Sequence, residues 1–320
     1  MCRHLAYLGP PVTLRQAIID PPYGLYRQAW APRMMMGSGT MNVDGFGVGW
    51  YADGDPVPAR YRHAGPIWAD PSFADLTRVA RSGALLAAVR DASAGTEPAA
   101  SACSPFGADH WLFSHNGALA GWPRAAAGLA ASLTPLELLE LDARVDSALL
   151  WALTLKQLRR GAGLGDALAA VLGLLDIAQV SGRFNFLLTD GAAIAATAAG
   201  HTLWYRRSAG GLNGDGNDRG DRPVHVVVAS EPADEEPGWV EVPDRSLLTA
   251  TPDAVHVWSL PTPPEVDADD AERVRRASFP EGMAGRAVPS VSSVPSVPSV
   301  SSVPSGPSVP SVTNGRNPRS

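Results

Sequence analysis

The sequence predicts an α+β fold in which helices cover a largely antiparallel sheet or pair of sheets. Three observations carry this prediction: strand-like apolar runs occupy roughly the first 120 residues, two helical segments follow, and more strand-like runs come after the helices. Strands and helices that are grouped along the chain, rather than alternating, are typical of this class. With 320 residues, 45% of them hydrophobic, the chain is long enough to bury a core.

The predicted strands are apolar runs bounded by turn residues. Before the helices they read HLAYLG, VGWYAD, LLAAVR and HWLFSH, and after the helices FNFLLTDG, HTLWYRR and VHVVVAS. The two helices are predicted over 142–158 and 164–180, where apolar residues recur at i, i+3, i+4 and i+7 and no proline occurs.

The C-terminal part of the chain differs in composition from the rest. We predict one domain over 2–262, because no Pro/Ser-rich linker interrupts it, and a C-terminal extension over 263–286. Residues 287–320 repeat Ser, Val and Pro and cannot bury enough apolar surface to offset the entropy lost on ordering. We therefore expect a disordered tail there.

Composition and charge exclude several classes of protein. The net charge is −6 and no Lys/Arg cluster occurs in the predicted domain, which argues against a nucleic-acid partner. We find no signal peptide and no apolar run of transmembrane length, so we expect neither secretion nor a membrane partner. Two cysteines cannot form a disulfide framework, which favours a cytoplasmic location.

Cys2 directly follows the initiator methionine, a position that packing alone does not explain. Removal of Met1 would give Cys2 a free α-amino group, whose ordinary pKa is about 7.7 to 8.0. The thiolate is the nucleophilic form of a thiol, and the amine can accept the proton directly or through one water. One residue then holds a nucleophile and its base, and the strand predicted over HLAYLG would hold both in place.

The run HWLF leads into SHNGAL, which places Asn116 beside Gly117. A side-chain amide and a flexible backbone N–H at one point are the donors that an oxyanion needs. Asn-Gly is also the strongest short signal for a hairpin turn, and the residues alone favour the turn.

Glycine occupies every second position from Gly45 to Gly49 in the segment NVDGFGVGWY, over 42–51. Glycines inside a strand indicate a bulge or the close approach of another backbone. The segment is not a phosphate-binding loop, because it matches neither the GxGxxG nor the Walker pattern.

Arg90 ends the predicted strand LLAAVR, and Asp146 lies near the start of the first predicted helix. A guanidinium fork binds an α-carboxylate and a carboxylate binds an α-ammonium, so the two residues together suit an amino-acid-like ligand. Each residue also suits a structural role, Arg90 as a solvated surface charge and Asp146 as a partner of the helix dipole.

Taken in order, these motifs resemble those of the class II glutamine amidotransferases, which are N-terminal-nucleophile hydrolases. The motifs are MCR at the start, DGFGVGWY, an arginine at a strand end, HNG, an acidic residue opening DSALL, and FNFLLTDG. The resemblance runs from Cys2 to about residue 260. Within that superfamily the chain looks most like the stand-alone amidohydrolases of ergothioneine biosynthesis, on the stretches MCRHLAYLG, LLAAVRDAS, 28–51 and 229–253.

The resemblance implies a four-layer αββα sandwich with two mostly antiparallel sheets, and makes 2–262 a type-2 glutamine amidotransferase domain. It implies that Cys2, after removal of Met1, attacks a γ-glutamyl carbonyl and that Asn116 and Gly117 stabilise the oxyanion. Arg90 would hold the α-carboxylate of the glutamyl group and Asp146 its α-ammonium. The family requires neither a metal nor an organic cofactor.

The small-molecule substrate implied by the resemblance is γ-glutamyl-hercynylcysteine S-oxide, hydrolysed to glutamate and hercynylcysteine S-oxide. Many relatives that use glutamine follow the strand-end arginine with Trp-Ala-Thr-His-Gly, whereas this chain has DASAG over 91–95. This departure favours a substituted γ-glutamyl amide over free glutamine.

Two alternatives stay open besides another N-terminal-cysteine hydrolase that acts on non-glutamyl amides. The first is a glutaminase subunit that supplies ammonia to a separate synthase. The second, of a different class, is a metal-binding protein: His4 becomes the third residue once Met1 is removed, and an amino-terminal X-X-His segment with a thiolate offers N and S ligands to copper or nickel. The other motifs would then have no purpose, which favours the hydrolase.

Overall fold

The computed structural model describes residues 2–34, 41–92, 96, 99–209 and 224–261. The predicted extension over 263–286 and the predicted tail over 287–320 lie outside the described residues. The strands are β1 Arg3–Thr13, β2 Gly45–Trp50, β3 Ala59–His63, β4 Arg81–Arg90, β5 Phe106–Ala108, β6 Trp111–Leu119, β7 Gly182–Thr189, β8 Ile194–Ala198, β9 Trp204–Ala209, β10 Val224–Ala229, β11 Val240–Glu241, β12 Ser246–Ala250 and β13 Val255–Ser259. The α-helices are α1 Leu14–Ile18, α2 Leu25–Gln28, α3 Pro71–Val79, α4 Ala127–Ala130, α5 Pro135–Leu139, α6 Asp146–Arg159 and α7 Leu164–Ile177.

The strands form two sheets. The first sheet has the order β11-β9-β10-β1-β4-β2-β3 and the second has the order β13-β12-β8-β7-β6-β5. Every described pairing is antiparallel, from β1 against β4 and β10 to β6 against β7. The predicted α+β class with two mostly antiparallel sheets is confirmed.

The alternation of side chains along β1 shows how the sheets stack. Leu5 and Tyr7 belong to the apolar cluster on the outer face of the first sheet, whereas Ala6 and Leu8 belong to the cluster between the two sheets. A strand buried on both faces needs apolar residues at successive positions, because neighbouring side chains point to opposite faces. The run HLAYL meets this need, and β1 therefore lies in the interior of the molecule.

Helices cover the outer face of each sheet. In the first outer cluster, Leu14 of α1 and Phe73 of α3 share a core with Leu85 of β4. In the second outer cluster, Leu149 of α6 and Leu168 of α7 share a core with residues of β6 and β7. The layers are helix, sheet, sheet and helix, which confirms the predicted four-layer αββα sandwich. Neither α6 nor α7, with 14 residues each, nor any other described helix is long and apolar enough to span a membrane.

Both predicted long helices are present but shorter than the sequence pattern indicates. Helix α6 begins at Asp146 rather than at residue 142, because Val145 is extended and Asp142 pairs with Arg62 of β3 at 2.8 Å. Helix α7 ends at Ile177 rather than at residue 180, and Gln179 takes a left-handed φ of 52°. A left-handed residue of this kind commonly follows the end of a helix.

Gly47 of β2 lies against another backbone, as the sequence predicts, and Gly45 lies against a side chain. A Cβ atom at Gly47 would lie 2.5 Å from the carbonyl oxygen of Ser104, and one at Gly45 would lie 2.2 Å from Sγ of Cys103. Gly45 also has a φ of +144°, a conformation that side chains disfavour. The glycines thus let the segment around Cys103 approach the end of β2 and β4.

We expect Gly47→Ala to lower the free energy of unfolding by about 1–3 kcal/mol, because the new methyl group meets backbone that cannot move aside. The matched control is Gly173→Ala in α7, where an added Cβ meets nothing within 4 Å. This control should raise stability by roughly 0.5–1 kcal/mol, since alanine favours helix over glycine. Urea denaturation measures both, and equal effects would contradict the close approach.

Candidate active site

Cys2 lies immediately before β1, the central strand of the seven-stranded sheet. The antiparallel register of β1 with β4 pairs Arg3 with Val89, which brings Cys2 next to the C-terminal end of β4. There the Cys2 thiol lies 3.8 Å from the carbonyl oxygen of Asp91. The predicted strand over HLAYLG is confirmed, and it places the half-buried Cys2 directly at the end of this central strand.

One pocket contains four of the five predicted site residues. Cys2, Arg90, Gly117 and Asp146 all line it. The other lining residues are Ala88, Val89, Asp91, Thr96, Ala102, Ser104, His115, Val145 and Ser147. The pocket therefore joins the end of the first sheet, strand β6 of the second sheet and the first turn of α6.

Arg90 is the last residue of β4 and is buried, at 8% exposure. Its Nη1 donates to the carbonyl oxygen of Asp44 at 3.3 Å and its Nη2 to the hydroxyl of Thr96 at 3.2 Å. The structure rules out a solvated surface charge. The guanidinium is instead held in a defined orientation at the pocket wall.

Asp146 is the first residue of α6, and its carboxylate is bound to two elements. Oδ2 accepts from the backbone N–H of Leu119 at the end of β6 at 2.9 Å, and Oδ1 accepts from the backbone N–H of Ser147 at 2.8 Å. A carboxylate at a helix N-terminus is also favoured by the helix dipole. Asp146 thus has the structural role considered in the sequence and lines the pocket as well.

Asn116 and Gly117 lie inside β6 and not in a turn, so the hairpin interpretation is wrong. Their register partners on β7 are Asn185 and Phe184. A Cβ at Gly117 would lie only 1.8 Å from the carbonyl oxygen of Arg183, so glycine is required here by the close approach of β7. A turn could not be distinguished from this strand in the sequence, because Asn-Gly is common in turns and the approaching backbone is 66 residues away.

Asn116 is fully buried and is the one predicted site residue that does not line the pocket. Its Nδ2 donates to Oγ of Ser230 at 3.2 Å, and its Oδ1 has no partner among the described residues. Ser230 also accepts from the backbone N–H of His4 at 3.0 Å. The carboxamide is thereby attached to β1 and to the residue that follows β10.

Burial raises the pKa of the Cys2 thiol, against the lowering effects of the Asp91 hydrogen bond and the positive charge of Arg90. The buried thiol is thus mostly protonated at neutral pH and needs a base before it can act as a nucleophile. Any reaction that uses this thiol as a nucleophile therefore also requires a group in the pocket that can accept its proton.

His115 lines the same pocket, a placement that the sequence analysis did not predict. Its Nε2 lies 2.9 Å from the carbonyl oxygen of Arg183, which can only accept, so this nitrogen carries a proton. Burial lowers the pKa of His115, which leaves Nδ1 free to accept from the Ser147 hydroxyl 3.0 Å away. His115 therefore connects β6 to α6 as a neutral ring.

The histidine of the X-X-His alternative, His4, lies in the core. It is fully buried within β1, with Nδ1 3.2 Å from Oγ of Ser114. Across the described ranges there is no cluster of three or more His, Cys, Asp or Glu residues that could hold a metal ion. The X-X-His interpretation gains no support from this arrangement.

The chain has relatives among characterised families. The family model for class II glutamine amidotransferases matches residues 28–210. A gamma-glutamyl-hercynylcysteine sulfoxide hydrolase of Mycolicibacterium smegmatis is 38% identical over 248 residues, which cover 78% of this chain and 95% of that protein. A protein of the same name from Mycobacterium tuberculosis is 38% identical over 262 residues, covering 81% of this chain and 97% of that protein.

Two solved structures share the fold. A glutamine aminotransferase class-II domain protein from Silicibacter pomeroyi aligns with a TM-score of 0.55 at 23% identity, covering 82% of this chain and all of that one. The glutamine phosphoribosylpyrophosphate amidotransferase of B. subtilis aligns with a TM-score of 0.56 at 15% identity, covering 82% of this chain and 50% of that one. Both agree with the four-layer architecture.

Two buried histidines make stability depend on pH. Burial lowers the pKa of His4 to about 3 and that of His201 to about 4, whereas an unfolded histidine has a pKa of about 6.5. Below pH 6.5 the unfolded state binds protons that the folded state excludes, so the free energy of unfolding falls as the pH decreases.

We expect His201→Asn to reduce this pH dependence by up to about 1.4 kcal/mol per pH unit near pH 5, the contribution of one excluded proton. Asparagine keeps an acceptor for the Thr202 backbone N–H, which His201 Nδ1 accepts at 3.0 Å. Urea denaturation between pH 7 and pH 4.5 measures the slope. The exposed His256, replaced by Asn, is the control; a slope that His201→Asn leaves at the wild-type value would refute the prediction.

Proposed function

The chain belongs to the class II glutamine amidotransferases, and we propose that it hydrolyses the γ-glutamyl amide bond of γ-glutamyl-hercynylcysteine sulfoxide. The products are glutamate and hercynylcysteine sulfoxide. The observation that carries the proposal is that Cys2, Arg90 and Asp146 line the same pocket. The relatives of this name, at 38% identity over most of the chain, support the same amidohydrolase activity.

The glutamyl part of the substrate matches the charges of the pocket. Its α-carboxylate pairs with Arg90, whose planar fork suits a carboxylate, and its α-ammonium pairs with Asp146. Both protein groups are held by hydrogen bonds to the fold before the substrate arrives. Binding at both charges orients the γ-carbonyl toward Cys2.

The chemistry uses Cys2 as both nucleophile and base. After removal of Met1, the α-amine of Cys2 takes the thiol proton, and the sulfur adds to the γ-carbonyl carbon. The oxyanion of the tetrahedral intermediate accepts from the backbone N–H of Gly117 and from the second N–H of Asn116 Nδ2, the first being donated to Ser230. As the C–N bond breaks, the α-ammonium returns the proton to the leaving amine, and a thioester remains.

Water completes the cycle. The α-amine removes a proton from water, the hydroxide adds to the thioester carbonyl, and collapse of this second intermediate releases glutamate and the Cys2 thiol. The steps need neither a metal nor an organic cofactor. The reaction needs the α-amine as a base because the pKa of the Cys2 thiol is raised, so that few thiolates would form in the pocket without it.

The leaving group is expected to be large. In the sequence the strand-end Arg90 is followed by DASAG, of which Asp91 and Ala92 are described and Ser93–Gly95 lie outside the described residues. The smaller residues, where many glutamine-using relatives have Trp-Ala-Thr-His-Gly, support a substituted amide as the substrate. The cytoplasmic location and the lack of nucleic-acid and membrane partners remain predictions from composition.

The first functional prediction concerns substrate choice. We expect purified protein to release glutamate from γ-glutamyl-hercynylcysteine sulfoxide with a higher kcat/KM than from glutamine, measured by an enzyme-coupled glutamate assay. The control is Cys2→Ala, which lacks the nucleophile and should release none. Glutamine hydrolysis that appears only when a synthase partner is added would instead support a glutaminase subunit.

The second functional prediction separates binding from chemistry. Asn116→Ala should lower kcat by about 10²–10³-fold and leave KM nearly unchanged, because an oxyanion donor acts mainly in the transition state. Arg90→Lys should raise KM by about tenfold or more, because lysine lacks the bidentate fork. Steady-state kinetics on both variants test these two roles. A raised KM for Asn116→Ala with an unchanged kcat would show that Asn116 binds substrate and does not stabilise the oxyanion. Thermal unfolding controls for folding.

A further inference from the structure

Three separate parts of the chain meet at the carboxylate of Glu231, two residues after the end of β10. Its Oε1 accepts from Nε of Arg3 at 2.7 Å. Its Oε2 accepts from the backbone N–H groups of Arg33 and Met34, at 2.6 Å and 3.0 Å. Both carboxylate oxygens are therefore occupied by groups that are far apart in sequence.

Arg3 extends this contact to the nucleophile. Its Nη1 donates to the carbonyl oxygen of Cys2 at 3.0 Å, while Nε is held by Glu231. Cys2 precedes the first residue of β1, so it does not belong to the strand ladder that holds the rest of the segment. The arginine fork thus contacts the backbone of Cys2 at a point where strand pairing no longer defines its position.

The ion pair between Arg3 and Glu231 is excluded from solvent. The side chains of Arg3 and Glu231 are 0% and 1% exposed, and such a pair carries a desolvation cost that hydrophobic residues of similar size would avoid. The cost is consistent with a role beyond general stability. By comparison, the pair Arg206–Asp234 lies in the same region but bonds Trp239 and the Glu236 backbone instead of the site.

We propose that Glu231 is a positioning residue for the nucleophile, acting through Arg3 on the backbone of Cys2. The proposal rests on the proposed function, in which the sulfur of Cys2 must be placed against the γ-carbonyl. Arg90 and Asp146, which bind the glutamyl group, do not contact Glu231 in the described structure. A loss of positioning should therefore affect the chemical step and spare substrate binding.

The test uses two variants and one matched control in the full-length protein. Glu231→Gln keeps the shape of the side chain and removes its charge. Arg3→Lys keeps the ion pair but replaces the two nitrogens that contact Glu231 and Cys2 by a single ammonium, so that it removes the link and retains the buried charge balance. Asp234→Asn removes the charge of the neighbouring Arg206–Asp234 pair, whose side chains are 5% and 15% exposed, and serves as the control. Mass spectrometry confirms that Met1 is removed in each.

The first readout is the division between kcat and KM. Both Glu231→Gln and Arg3→Lys should lower kcat by about 10–100-fold with KM changed less than about threefold, because small misplacements of reacting groups cost rate. Asp234→Asn should keep kcat within about twofold of the wild-type value. Thermal unfolding shows the folded fraction of each variant. If Glu231→Gln fails to fold, Arg3→Lys alone tests whether the link to Cys2 affects kcat.

The second readout needs no substrate. Iodoacetamide alkylation of each cysteine is followed by peptide mass spectrometry. Displacement of Cys2 should speed its alkylation several-fold, because desolvation at its present position raises the pKa of the thiol and keeps its thiolate scarce. Cys103, which is fully buried, should react at its wild-type rate and reports that the fold is intact.

The two readouts distinguish two kinds of failure. If the wild-type protein hydrolyses no γ-glutamyl amide, the proposed function fails, while the alkylation rates still test positioning. Lower turnover with faster Cys2 alkylation in both variants supports the proposal. Wild-type kcat and Cys2 alkylation in folded Arg3→Lys, or losses equal to those of Asp234→Asn, would overturn it and leave Glu231 as an ordinary structural ion pair.

Discussion

Strand β1 is paired along both edges, with β4 on one side and β10 on the other, and the candidate site takes its geometry from this pairing. The pairing with β4 brings the start of the chain beside Arg90. The pairing with β10 brings Ser230 and Glu231 beside His4 and Arg3. Because β1 is also buried on both faces, residues at a chain terminus acquire the order normally found in a protein core.

The interior combines two kinds of packing. Away from the site the inter-sheet layer is apolar, with residues such as Leu8, Leu187 and Val226. Toward the N-terminal end of β1 the same layer becomes polar and includes His4, Asn116 and Ser230. Buried polar groups without water need defined partners, and so they specify one arrangement where apolar groups tolerate several. The polar end of this layer therefore adds less stability than apolar packing would, but it fixes the geometry around Cys2. The apolar end of the layer holds the two sheets together.

Much of the fold could be predicted because its signals are local. The long strands and the two long helices follow from side-chain periodicity within single segments. Strand β8, with the sequence IAATA, could not be predicted in this way, since its pairing with β7 and β12 rather than its composition makes it a strand. The site divides similarly. Its resemblance to a known family indicated Cys2, Arg90 and Asp146, whereas Glu231 contacts Arg3 across 228 positions of sequence and leaves no local signal.

Only one residue separates Met1 from the first strand, and this spacing has a consequence for how the protein is made. Side chains alternate between the faces of a strand, so adding or removing one residue ahead of Arg3 would place a different side chain against the pocket. The spacing between Cys2 and the strand therefore matters to the site as much as the identity of Cys2 does. Affinity tags for purification belong at the other end of the chain, where they leave the proposed α-amine of Cys2 free.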